Sequence, residues 1–231
     1  MSEIMTLVAG SALPIIVIIA WFYRLDRARP EPVGLIGRSV LFGFLAAVPA
    51  ILLEFVVDLP TAVLPFPFSI VWTAFITAAL VEEGVKYFFL KRYLVTNRHF
   101  DEVMDGILYA VCVSLGFAFA ENILYGLADR GALLLRAFTA VPMHAAATGI
   151  MGYWMGLAKR ESHPARAAAM YRKGFMTAVL IHGLYDLFLF TASFLALGAV
   201  VILLIAIAKV LGLARQARLI DDMDSGSGTR D

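Results

Sequence analysis

Ala79-Leu80-Val81-Glu82-Glu83-Gly84-Val85-Lys86-Tyr87 lies inside an apolar run from about Ser69 to Leu90. A run of about 20 apolar residues is what a helix needs to cross a hydrocarbon core of about 30 Å. This one carries two carboxylates and an ammonium where hydrocarbon is expected. A charge at the bilayer centre costs roughly 2.5–3.5 kcal/mol on insertion scales, so three such residues must face protein and meet partners. Glu82 and Lys86 are i,i+4 neighbours and Glu83 and Lys86 are i,i+3, so either carboxylate can reach the ammonium. Adjacent residues point about 100° apart on a helix. The spacing therefore predicts one glutamate held by Lys86 and the other turned toward a cavity. An ion pair that merely packs a bundle needs one carboxylate, and this helix carries two.

The rest of the chain supplies the setting. Of its 231 residues, 61% are hydrophobic and 16% charged, with a mean hydropathy of +0.83. Soluble domains are about 45–50% apolar and about 25% charged. The fold class expected is all-α, a polytopic transmembrane bundle. Cys112 is the only cysteine, which excludes an internal disulfide and a thiolate zinc cage. The formal net charge of +1 calls for no nucleic-acid partner.

Seven spans are expected: Ile4 to Tyr23, Ser39 to Val57, Ser69 to Leu90, Gly106 to Leu127, Ala137 to Leu157, Gly174 to about Phe194, and Leu197 to Leu213. Met1-Ser2-Glu3 offers no basic region of the kind that opens a cleaved signal peptide. Residues 1–213 read as one transmembrane domain and 214–231 as a flexible tail. The basic stretch from Lys159 to Lys173 reads as a connection lying on the surface around Ala165 to Met170. Seven spans put the first, third and fifth connections and the tail on one side, where fifteen of the nineteen Lys and Arg residues fall. The positive-inside rule then places the N-terminus outside and the C-terminus in the cytoplasm.

Glu54, Glu82, Glu83, Lys86, Glu121, His144, His182 and Asp186 are the ionisable residues that fall within spans and outside the expected pattern. His182 and Asp186 are i,i+4, so the carboxylate can orient the imidazole, and Phe117 stands one turn before Glu121. Glu54 near the outer interface and Cys112 read as structural, and His99 and His163 as solvated. Taken singly, each motif has an ordinary reading: an intrahelical ion pair for Glu82, Glu83 and Lys86, an interhelical hydrogen bond for His182 and Asp186, and, for Glu121, a partner for Asn122 or Tyr125. Charged motifs on three separate helices are better explained by one shared site.

Glu82-Glu83-Gly84-Val85-Lys86, Phe117-Ala118-Phe119-Ala120-Glu121 and His182-Gly183-Leu184-Tyr185-Asp186 follow one another in order on successive spans. This EExxK, FxxxE, HxxxD pattern resembles the PrsW family of intramembrane proteases, which is related to the CAAX-type membrane endopeptidases. Glu121-Asn122-Ile123-Leu124-Tyr125, Pro142-Met143-His144 and Gly152-Tyr153 are similar to that family too. The likeness covers about Ala79 to Phe188.

The resemblance implies a multi-pass enzyme of the inner (cytoplasmic) membrane that hydrolyses a peptide bond of a membrane-associated protein. In the best-known branch that substrate is an anti-sigma factor. Peptide hydrolysis needs an activated water, a polarised carbonyl and a proton for the leaving amine. Glu82 or Glu83 is the expected base, with Lys86 setting the charge of its neighbour. Glu121, His144 and His182 are expected to bind the water, stabilise the oxyanion or protonate the amine, and Asp186 to hold His182. Two versions stay open: a zinc ion held by Glu121, His144 and His182, which is a sufficient ligand set, or glutamates working without metal. A proton-coupled transporter also builds such sites from acids and histidines, and a non-catalytic peptide-binding scaffold is a third class.

Overall fold

A computed structural model describes residues 2–26, 29–191 and 193–227. Among the described residues there are helices and turns and no strand. The long helices are α1 (Ser2–Leu25), α2 (Val33–Val57), α3 (Phe68–Leu94) and α4 (Val103–Ala128). The short α5 (Arg130–Phe138) follows, then α6 (Ala140–Arg160), α7 (Pro164–Phe190) and α8 (Leu197–Ser227). Seven helical spans are long and apolar enough to cross a membrane.

α4 is the axis of the bundle. Its apolar window is 94% buried, against 22–56% for the other spans, and α2 and α6 pack along it on either side. Both contacts depend on glycine. A Cβ at Gly116 would meet the backbone carbonyl of Val40 in α2, and one at Gly152 would meet the carbonyl of Gly106, closer than real Cβ atoms come. Small residues that let backbones approach are the usual currency of helix packing in lipid, where no hydrophobic force separates helix from tail. A backbone carbonyl cannot swing aside, so we expect Gly116→Ala to cost about 1–3 kcal/mol as an overpacked contact. The thermal midpoint in detergent should fall accordingly. It should hold in Gly212→Ala, where an added Cβ meets nothing within 4 Å.

Two expected boundaries move. The sixth span does not begin at Gly174: α7 starts at Pro164 and runs unbroken, while Ala165, Arg166, Ala168 and Ala169 stay exposed at the surface. Proline is favoured in the first helical turn, and Ala165, Ala167, Ala168 and Ala169 are strong helix formers. Where a flexible tail is expected from Ala214, α8 continues to Ser227, with Ala214, Ala217 and Asp221 buried. Asp221 accepts hydrogen bonds from the backbone N–H groups of Val103 (2.9 Å) and Met104 (3.0 Å). The last helix thus caps the first turn of α4. Residues 228–231 of that tail and Arg27 of the first connection lie outside the described residues.

The basic connections meet at one end of the molecule. Arg29 pairs with Glu102 at 2.5 Å, Lys159 donates to the Asn97 carbonyl at 3.0 Å, and Arg160 pairs with Asp221 at 2.8 Å. Seven crossings require this sharing of one side.

Candidate active site

α3 is not a uniform helix. Thr73–Leu80 and Leu90–Leu94 are wound as π-type turns on either side of the regular segment Val81–Phe89. Such widened turns are rare and cluster at functional sites. Between them Glu82, Glu83 and Lys86 are all buried, the last two completely.

Lys86 does not choose one glutamate, as the spacing predicts. Its ammonium donates to Glu82 at 3.1 Å and to Glu83 at 2.9 Å, and it lies 3.1 Å from His144 Nδ1. Phe117 supplies the remaining wall, its ring centroid 4.2 Å from the ammonium. The aromatic residue of the second motif therefore serves the lysine of the first.

The two carboxylates differ in their company. Glu83 meets Lys86, accepts from the Thr148 hydroxyl at 2.8 Å and lies 3.1 Å from His182 Nδ1. Glu82 meets Lys86, and beyond it, among the described residues, only the imidazoles of His144 and His182, both at 3.9 Å. Glu83 is the tethered group and Glu82 the one with unused capacity. Glu121 lies 2.7 Å from His144 Nε2 and 3.3 Å from Arg136, and Asp186 lies 3.2 Å from His182 Nε2. The two imidazoles are perpendicular, with centroids 5.0 Å apart. The structure thus brings Glu82, Glu83, Lys86, Glu121, His144, His182 and Asp186 into one connected cluster.

Three supporting residues escape a reading of the chain. Thr148, one turn after His144, links Glu83 to Ser114, which lies 2.7 Å from it and also donates to the His144 carbonyl at 2.8 Å. Thr148 was legible only as a neighbour of His144; nothing in the sequence marks Ser114. Arg136, expected in an outer loop, folds back from α5 to Asn122 at 2.7 Å and to Glu121.

Glu82, His144 and His182 can each offer a ligand atom, all within 4.8 Å of one another. Glu121, expected as the carboxylate of a metal set, stands on the far nitrogen of His144. Two imidazoles and a carboxylate suffice for zinc. The nitrogens facing away from Glu82 are held by Glu121 and Glu83, the carboxylate–histidine support that ligating imidazoles have. Three buried carboxylates, Glu82, Glu83 and Asp186, and the partly buried Glu121 stand against Lys86 and Arg136, a formal −2 with both histidines neutral. The donor set and its charge fit one divalent ion, provided the Lys86 ammonium moves off Glu82 and His144 and Asp186 releases His182 Nε2.

Comparison with known proteins gives the family. The family model described as PrsW family intramembrane metalloprotease matches residues 31–213. Protease PrsW of Geobacillus kaustophilus is 34% identical over 182 residues, 78% of either chain. Protease PrsW of Bacillus subtilis is 32% identical over 188 residues, 80% of this chain and 83% of the relative. That of Clostridioides difficile is 31% identical over 182 residues, 77% and 76% of the two chains. No solved structure matches the chain. A similarity that runs through six of the seven spans and contains all three motifs has one meaning: this chain is a multi-pass membrane peptidase belonging to the PrsW family.

Proposed function

We propose that the chain cuts a membrane-associated protein, an anti-sigma factor being the leading candidate, in the inner membrane, with its basic end in the cytoplasm. The observation that carries this is the convergence of seven ionisable groups from four helices on one buried cluster. Glu82, His144 and His182 would hold a zinc ion, which when bound would acidify a water and polarise the scissile carbonyl.

The chain's own groups take the remaining roles. Glu82, holding the ion through one oxygen, would take the proton of the attacking water on its other oxygen and return it to the leaving amine. The Lys86 ammonium faces the oxyanion of the tetrahedral intermediate. Glu83, itself tied to Thr148 and Lys86, fixes the ring of His182. Glu121, clamped by Arg136, fixes His144, and Asp186, now 3.2 Å from His182 Nε2, would give up that nitrogen when the ion is held.

A cavity of about 570 Å³ opens beside this cluster, lined by Glu54 and Phe55 of α2, Asp58, Ala62, and Thr73 and Thr77 of α3. Thr77 lies five residues before Glu82. We assign this opening as the substrate's route. Ala62→Trp narrows its mouth without touching the cluster, so KM should rise about tenfold with kcat unchanged, the mark of lost uniform binding.

The function is tested by comparing the membrane proteome of cells with and without the chain, then reconstituting each depleted single-span protein with purified enzyme in lipid discs. Expected is a new terminus, read by mass spectrometry, within or beside the substrate's hydrocarbon segment. Proton flux into sealed proteoliposomes carrying the enzyme, with every candidate left intact, would replace the protease with a transporter.

A further inference from the structure

A second cluster lies at the opposite, basic end, where the first connection meets the start of α4. We propose that Asp26, Glu31 and Asp105 form a separate site for a hard divalent cation, calcium or magnesium, which pins the α1–α2 connection to α4. Each residue can offer an oxygen, and these lie within 4.8 Å of one another. All three residues are buried, Asp105 completely.

The cluster alone would be only a crowd of acids. Its unmet valences make it a site. Four buried side-chain atoms have no hydrogen-bond partner among the described residues, and two of them are Asp26 Oδ2 and Asp105 Oδ1. The second oxygen of Asp105 is already committed, accepting from the backbone N–H groups of Asp101 at 2.9 Å and Glu102 at 2.7 Å. Glu31 accepts from the Tyr109 hydroxyl, which fixes that carboxylate in place. The guanidinium of Arg29 is committed to Glu102 at 2.5 Å. Buried acceptors without donors are costly, and a cation relieves the two oxygens at once.

The chemistry selects the ion. Three carboxylates with no imidazole or thiolate suit calcium or magnesium, which take oxygen ligands, in preference to softer metals. The site shares no ligand with the catalytic cluster. Asp105 and Glu121 both stand on α4, sixteen residues and about 24 Å apart.

The test uses the full chain in detergent, stripped with a chelator and titrated with calcium chloride or magnesium chloride. A saturable rise in thermal midpoint of about 5–10 °C is expected at a hundredfold excess over Kd. The rise should persist in His182→Ala, which leaves this end untouched, and vanish in Asp26→Asn and Glu31→Gln. Terbium binding gives a readout independent of stability. Emission from wild type should be displaced by calcium and should be lost in Asp26→Asn. No midpoint shift with either ion, or a full shift retained in Asp26→Asn, overturns the proposal. So does an Asp26→Asn chain that is as stable without cation as wild type is with it, since the acids then needed only relief from one another.

Discussion

Glu82→Gln and Glu83→Gln should both lose cleavage, and only the second should also lose stability. Removing a positioned acid–base group costs about 10²–10⁴ in rate, so Glu82→Gln should fall by that factor with its thermal midpoint close to wild type. Glu82 has one firm partner, and an amide in its place still accepts from Lys86. Glu83 is different. It is fully buried and joins Lys86, Thr148 and His182 at 2.8–3.1 Å. Neutralising it leaves a buried ammonium with half its counter-charge, and removing one partner of a buried pair costs about 3–5 kcal/mol. Rate and midpoint measured side by side on purified protein separate the two roles. Glu82→Gln retaining wild-type cleavage would remove Glu82 as the base.

The second large effect concerns metal. Purified wild type should carry about one zinc per chain by elemental analysis, and His144→Ala and His182→Ala should carry almost none, because each removes one of three protein ligands. Stripping should abolish cleavage and stoichiometric zinc should restore it. Glu121→Gln distinguishes the two ligand sets. If Glu121 only orients His144, zinc affinity should drop about 10–100-fold with the ion still bound at saturation, as for other outer partners of ligating histidines. If Glu121 is itself a ligand, zinc should be lost as completely as in His144→Ala. Undiminished cleavage by fully stripped enzyme would exclude zinc catalysis and leave Glu82 and Lys86 to act alone.

The clearest divergence between chain and structure is in depth. Counting from a span that begins at Gly174, His182 lies about 12 Å in, while Glu121, counted from Gly106, lies about 23 Å in. On that count the two miss each other. With α7 starting at Pro164 and α4 at Val103, each residue is eighteen positions from its helix start, or about 27 Å. The mismatch came from the boundary. Hydropathy reads the basic residues Arg166, Arg172 and Lys173 as outside the membrane, whereas backbone hydrogen bonding carries the helix on past it.

Other features were legible for plain physical reasons. Apolar runs near the length of a bilayer give the seven spans, and charges that lipid will not accept give Glu82, Glu83, Lys86, Glu121, His182 and Asp186. Spacing of three and four residues puts Lys86 within reach of both glutamates and His182 within reach of Asp186. These relations are local, so the sequence by itself determined the fold class, the motifs and the family. What only the tertiary structure decided is which local groups share a partner. That Lys86 bridges both glutamates and rests on Phe117, that Thr148 tethers Glu83 and Arg136 clamps Glu121, and that Asp221 closes the start of α4 all depend on contacts between helices. Such contacts are set by close backbone approach at Gly116 and Gly152 and by the wide turns of α3, and no period along the chain encodes them.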